Sequence, residues 1–196
     1  MINFKNLNKS VPYNQFVIFY NKAIEKKQRN IEACAISSYD KKNNFVDSRF
    51  VNIKYIIDDS WIFFSNYNSP KSSQFESHNQ ISALFFWSTI NVQIRLQGEI
   101  TKTSKEFSDE HFNNRSHSKN ALAKSSKQSK EITSYEKVID QYEEVLKTSF
   151  SRPNSWGGFE FIPFSIEFWQ GNENRLNKRE LYSYENNNWN LSILQP

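Results

Sequence analysis

The chain has 196 residues, 37% of them hydrophobic and 23% charged, and its apolar content is heavily aromatic, with five Trp, nine Tyr and seventeen Phe. That length holds one core rather than two independent catalytic domains, and that much ring surface excludes a disordered body. A net charge of +4 and a pI near 9.0 suit an anionic partner, but the basic stretch from Lys119 to Lys130 is diluted by Ser, Asn and Ala and lacks base-stacking rings, so no nucleic-acid partner is expected.

The opening MINFKNLNKSVPYNQF interrupts every apolar run with Asn or charge, so neither a signal-peptide core nor a membrane span is read there. Residues 1–11 are expected to be a flexible lead into a single domain over 12–196, and the expected location is cytoplasmic. Residues 12–29 carry Phe16, Phe19, Tyr20, Ala23 and Ile24 at three-to-four spacing after Pro12 and end in Lys and Arg, which predicts an amphipathic helix packed on a sheet. The single cysteine, Cys34, permits no intrachain disulfide and fits a reducing compartment. Five apolar runs follow, IEACAISSYD, NFVDSRFVNIKYI, SWIFFSNY, ISALFFWS and NVQIRLQGEITKT, separated by turn residues such as Asp40 to Asn44 and Asp58 to Ser60. They predict consecutive antiparallel strands in a meander or small barrel.

Residues 104–148 change character, with SKEFSDEHFNNR, a polar loop, and SYEKVIDQYEEVLKTSF, where Tyr135, Val138, Ile139, Tyr142 and Leu146 mark one helix face. Helices here are expected to cover barrel openings or edges. Strand-like text resumes near Phe159 in FEFIPFSIEFWQG and RELYSYENNNWNLSILQP, and the last strand is expected to complete the sheet.

Several site types find no support. His78, His111 and His117 lack the paired carboxylate or four-residue spacing of a zinc site, so no metal is expected. Gly157 and Gly158 form the only adjacent glycine pair, which disfavours Rossmann and phosphate-loop nucleotide sites, and no Ser sits in a G-x-S-x-G elbow. Any bound phosphate must therefore be held by side chains.

Ordered strings along the chain resemble the pyridoxine/pyridoxamine 5'-phosphate oxidase family: SRFVNIK at 48–54, FFSNYNSPKS at 63–72, LFFWSTINVQIRLQGEI at 84–100, HFNNRS at 111–116, SSKQS at 125–129 and, most specifically, SWGGFEFIPFSIEFWQGNENRLNKRELY at 155–182. The resemblance runs from about residue 12 to Pro196. It implies a mainly β fold with flanking helices, an antiparallel Greek-key split β-barrel forming a homodimer with FMN at the subunit interface. It implies FMN contacts from Arg49, Val51, Asn52, Ile53, Lys54, Phe64, Ser65, Lys71, Gln93, Gln128, Ser129, Trp169 and Arg179. Substrate contacts would fall to Lys54, His111, Arg115, Lys119, Arg175 and Asn177, with Arg175 and Asn177 nearest the chemistry. The activity implied is oxidation of a vitamin B6 phosphate to pyridoxal 5'-phosphate, with oxygen as acceptor and release of peroxide. A flavin phosphate and a flat redox ring need fixed cations, polar donors and aromatic walls, which these residue types supply.

Four positions depart from the family pattern. His111 stands where the family has a Tyr on the substrate phosphate, Lys119 where it has a Ser, and Asn177 where it has an active-site His. Pro70 replaces the Arg of a Ser-Arg-Lys turn at the FMN phosphate. Asn177 can donate a hydrogen bond but cannot titrate. The readings that follow are a vitamin B6 phosphate oxidase, a related FMN oxidoreductase with another substrate, and a flavin- or phosphate-binding relative without turnover.

Overall fold

The computed structural model describes residues 1–196. Ten strands and five α-helices run in the order β1 (Asn3–Lys5), α1 (Val11–Glu25), β2 (Ala33–Asp40), β3 (Phe45–Asn52), β4 (Tyr55–Ile57), β5 (Ser60–Asn66), α2 (Pro70–Ser77), β6 (Gln80–Trp87), β7 (Val92–Lys102), α3 (Lys105–Asn113), α4 (His117–Ser125), α5 (Tyr135–Leu146), β8 (Trp156–Gln170), β9 (Lys178–Glu185) and β10 (Asn188–Leu194). No helix is long and apolar enough to cross a membrane.

All ten strands join one sheet, ordered β1-β4-β5-β8-β7-β6-β2-β3, with β9 on β8 and β10 on β9. Strand β8 branches it. One edge of β8 pairs with β7, while the other pairs first with β5, over Trp156 to Phe161, and then with β9, over Ser165 to Gln170. The sheet therefore curls without closing, as the expected split barrel. Where β7 crosses the middle of β8, the register shifts between Gln97 and Gly98. A Cβ on Gly98 would stand 2.5 Å from the Ile162 carbonyl oxygen, so only glycine allows this close approach.

Alternation sets the interior. Val92, Ile94, Leu96 and Ile100 of β7 point inward, as do Ile81, Ala83, Phe85 and Trp87 of β6. Helix α1 plugs the barrel with Tyr13, Phe16 and Tyr20. The Phe16 ring meets Trp61 edge-on at 4.6 Å and lies 5.6 Å from Phe85 and 5.4 Å from Trp87. The helix ends at Glu25, before the expected 29, and Ile24 is exposed because the burying face turns through Ala23 instead.

Four expectations need correction. The first eleven residues are not a loose lead. Asn3 to Lys5 pair in parallel with Tyr55 to Ile57, Ile2 is buried with its amide donating to the Tyr20 hydroxyl at 2.8 Å, and the Phe4 ring packs on Tyr20 at 5.2 Å. Two alternating apolar side chains were enough to seat this strand. Helix α4 forms within the stretch that composition reads as polar loop, buried only at Asn120 and Ala121. Helix α5 forms as expected but buries none of its residues and covers no barrel edge. At the C-terminus, Asn186 and Asn187 both take positive φ, the geometry of a two-residue hairpin turn, and β10 ends as the outer strand of the β9 arm rather than closing the sheet.

Candidate functional site

A cavity of about 470 Å³ opens between β3, the end of β5, the start of α2 and the loop after α4. Its floor is built around a lysine. Strand β5 ends in Ser65 and Asn66; the Asn66 side chain accepts from the Asn68 amide at 2.8 Å, folding the chain into a turn that delivers Ser69, Pro70 and Lys71 to the first turn of α2. Lys71 is only 7% exposed, and its Nζ donates to Ser65 Oγ (3.1 Å), Ser69 Oγ (3.1 Å) and Gln128 Oε1 (3.3 Å). All three acceptors are neutral. Burial first, then the neighbouring Arg49 charge, pull its pKa down to about 8. A buried ammonium with no carboxylate bonded to it is set to receive an anion. Pro70 removes a cation but fills the first helical position, where its missing amide proton costs nothing.

Arg49, beside it on β3, is held by Ser38 Oγ (2.6 Å), Gln74 Oε1 (2.7 Å) and an ion pair to Asp47 (2.6 Å). Its charge faces the cavity on a fixed stem. Val51, Asn52, Lys54, Ser129 and the ring of Phe64 complete this part of the lining. Ser129 has φ of 66°, a left-handed conformation that is unfavourable for a residue with a Cβ.

Phe64 and Trp156 bring near-parallel rings to the cavity wall, and His111, parallel to both, is not itself among the lining residues. His111 stacks on Phe64 at 3.6 Å with planes 10° apart, Trp156 lies 5.3 Å from Phe64, and the Arg115 guanidinium sits 4.5 Å above the Trp156 ring. Arg115 Nη2 donates to the Lys119 carbonyl at 3.2 Å, while its buried Nη1 has no partner. Lys54 is paired loosely with Glu32 at 3.6 Å. Burial, then Arg115 and Lys54, hold the His111 imidazole down to about 4, so the ring is neutral at pH 7. Lys119 lines an adjoining cavity of about 240 Å³ that shares Phe64, Ser65, Arg115, Gln128 and Trp156 with the first.

The remaining expected residues lie elsewhere on this chain. Gln93, Trp169 and Arg179, from three different strands, fall opposite one another in a single row across β7, β8 and β9. Arg179 is bonded to Glu167 at 2.8 Å, which also pairs with Arg95. Arg175 and Asn177 occupy the exposed β8–β9 loop, where Arg175 takes φ of 60° and the Asn177 side-chain oxygen accepts from the Asn172 amide at 3.1 Å. None of these five lines the cavity. Ile53 is fully buried, with its amide donating to the Glu32 carbonyl, so its side chain serves the core.

Sequence reasoning missed Asp47 and Gln74, which orient Arg49, and Trp156, which carries Arg115. Trp156 stands second in the SWGGF string, and that was its available signal. It is fixed by Arg152, which donates to its carbonyl and pairs with Asp109 at 2.7 Å.

Known proteins resemble the chain throughout. Residues 20–149 match the pyridoxamine 5'-phosphate oxidase family, and residues 156–196 match the pyridoxine 5'-phosphate oxidase C-terminal dimerisation region. A pyridoxine/pyridoxamine 5'-phosphate oxidase of Vesicomyosocius okutanii is 33% identical over 94% of this chain and 88% of its own. One from Cytophaga hutchinsonii is 36% identical over 94% and 88%. Among solved structures, PhzG from Burkholderia lata, in complex with tetrahydrophenazine-1-carboxylic acid, superposes with a TM-score of 0.89 at 25% identity, covering 95% of this chain and 93% of that one. A pyridoxamine 5'-phosphate oxidase-related, FMN binding protein from Nostoc punctiforme shares the fold, with a TM-score of 0.79 at 10% identity over 96% and 99%. With matches over both segments and identity sustained along nearly its whole length, the chain belongs to the pyridoxamine 5'-phosphate oxidase family.

Proposed function

We propose that the protein is an FMN-dependent oxidase that converts pyridoxine 5'-phosphate or pyridoxamine 5'-phosphate to pyridoxal 5'-phosphate, with oxygen as acceptor and hydrogen peroxide as product. The observation that carries this reading is the buried Lys71 ammonium, bonded only to neutral oxygens, in a cavity that the Arg115 guanidinium also lines. Cationic side chains and the Phe64 and Trp156 rings on one cavity suit a phosphorylated cofactor and a phosphorylated substrate together.

Bound FMN would supply the redox chemistry, as hydride acceptor toward the substrate and electron donor toward oxygen. The chain supplies binding and orientation. Lys71, Arg49, Ser65, Gln128 and Ser129 hold the cofactor phosphate. Lys54, Arg115, His111 and Lys119 form the substrate-anion subsite. Gln93, Trp169 and Arg179 reach the cofactor from a second copy of the chain, and that copy's loop brings Arg175 and Asn177 over the substrate. Asn177, having no titratable group, positions and does not carry a proton.

A second reading, an FMN oxidoreductase for another anionic substrate, draws on the His111, Lys119 and Asn177 departures and on PhzG, whose bound molecule is a carboxylic acid. Anaerobic stopped-flow absorbance of the FMN-loaded protein separates them. Flavin bleaching by either vitamin B6 phosphate, with peroxide on readmission of oxygen, is expected; a flavin that stays oxidised with both transfers the assignment to the second reading.

A further inference from the structure

Tyr55 has no part in the site as described so far, yet its hydroxyl is the one hydrogen-bond partner of His111, 2.9 Å from Nδ1. The phenol is fixed. Its ring stands edge-on to Phe107 at 5.5 Å, to His111 at 5.4 Å and to Phe64 at 6.2 Å, and its hydroxyl makes no other hydrogen bond. A phenol is a better donor than a neutral imidazole N–H, and an imidazole nitrogen is a better acceptor than a phenolic oxygen, so the O–H is donated to Nδ1. The ring proton then resides on Nε2, because the bond at one imidazole nitrogen sets the state of the other.

We propose that Tyr55 is a positioning residue for the substrate-anion subsite, fixing His111 as the Nε2–H tautomer so that a neutral donor stands with Lys54 and Arg115 where the family carries a tyrosine hydroxyl. The inference rests on the phosphorylated-substrate reading given above. Charges around the pair favour the neutral forms of both groups: Arg115 and Lys54 oppose protonation of His111, and Glu110 opposes ionisation of Tyr55, each adding to burial. The family's phenolic donor is thus replaced by an imidazole that draws its direction from a second phenol one residue beyond Lys54.

The test joins kinetics to spectroscopy on the FMN-loaded full chain. In Tyr55→Phe, KM for pyridoxine 5'-phosphate should rise roughly three- to tenfold, the loss of one neutral hydrogen bond, with kcat and FMN affinity unchanged. Nitrogen-15 ring spectra, with His111 identified by its loss in His111→Gln, should show the Nε2–H tautomer in the wild type and a mixture in Tyr55→Phe. Protonated Nδ1 in the wild type, or a tautomer that Tyr55→Phe leaves unchanged, overturns the proposal. Inorganic phosphate should shift the wild-type His111 signal more than that of Tyr55→Phe; equal shifts also overturn it. If neither vitamin B6 phosphate is oxidised, the substrate reading fails, while the ring spectra and the phosphate titration still decide the role of Tyr55.

Discussion

Lys71 carries two pH dependences of opposite sign. Its pKa in the fold is about 8 against an ordinary 10.5, so between those values the unfolded chain holds more protons than the folded one. Stability of the cofactor-free protein therefore gains from this group as pH rises through that window, the penalty of the buried charge being fully present below it. Affinity for FMN runs the other way, because the phosphate needs the ammonium and stays dianionic above pH 7. Flavin fluorescence titrations should show FMN binding weakening above pH 8 while thermal melts of the apoprotein do not. Lys71→Met should lower FMN affinity roughly 10- to 100-fold, the worth of a charge-assisted hydrogen bond, without destabilising the apoprotein. Arg115→Ala should raise KM for the phosphorylated substrate about tenfold or more and move FMN affinity far less, since Lys71, not Arg115, is bonded to the Ser65 and Gln128 oxygens of the proposed cofactor-phosphate site. Equal losses of both would remove Arg115 from the substrate subsite.

At the scale of elements, the strands with alternating burial, β2, β6 and β7, were readable from sequence because each buries one face in a single core. Helix α1 was readable for the same reason, and Phe16, in contact with Trp61, Phe85 and Trp87, is where its packing concentrates. Phe16→Ala should cost roughly 3–5 kcal/mol in urea denaturation, the range for deleting a fully buried ring. Other elements left weaker traces. Strand β1 is three residues long and α4 buries one Asn and one Ala, so neither has a periodicity to read. The site was legible where family strings fix spacing, as at Lys71 and Arg115. It was illegible where a residue acts through a neighbour: Gln74 orients Arg49, and Tyr55 orients His111. Those pairs are 25 and 56 residues apart, and only the fold brings them together.

For the whole molecule, the division of the expected site is the informative fact. The cavity holds Arg49, Lys71, Arg115, Gln128 and Ser129, while the Gln93–Trp169–Arg179 row and the Arg175 loop lie outside it. Phe50, on the cavity rim, is 76% exposed, and Phe86, across from Gln93, is 55% exposed. Large apolar groups left open beside both halves of a site are what a covering subunit would bury, and the C-terminal segment matches a dimerisation region. If each site takes its cavity from one subunit and its loop from the other, two defective chains can rescue one another. Arg115→Ala disables a chain's own cavity. Arg175→Asn disables only the loop it lends, with Asn chosen because it tolerates the left-handed turn. At substrate near the wild-type KM, each variant alone should turn over slowly. A heterodimer purified through two different tags contains one site with both Arg115 and Arg175 intact and one with neither, so it should recover about half the wild-type activity. If each chain instead completed its own site, no site in the heterodimer would be whole, and activity would stay at the level of the single variants.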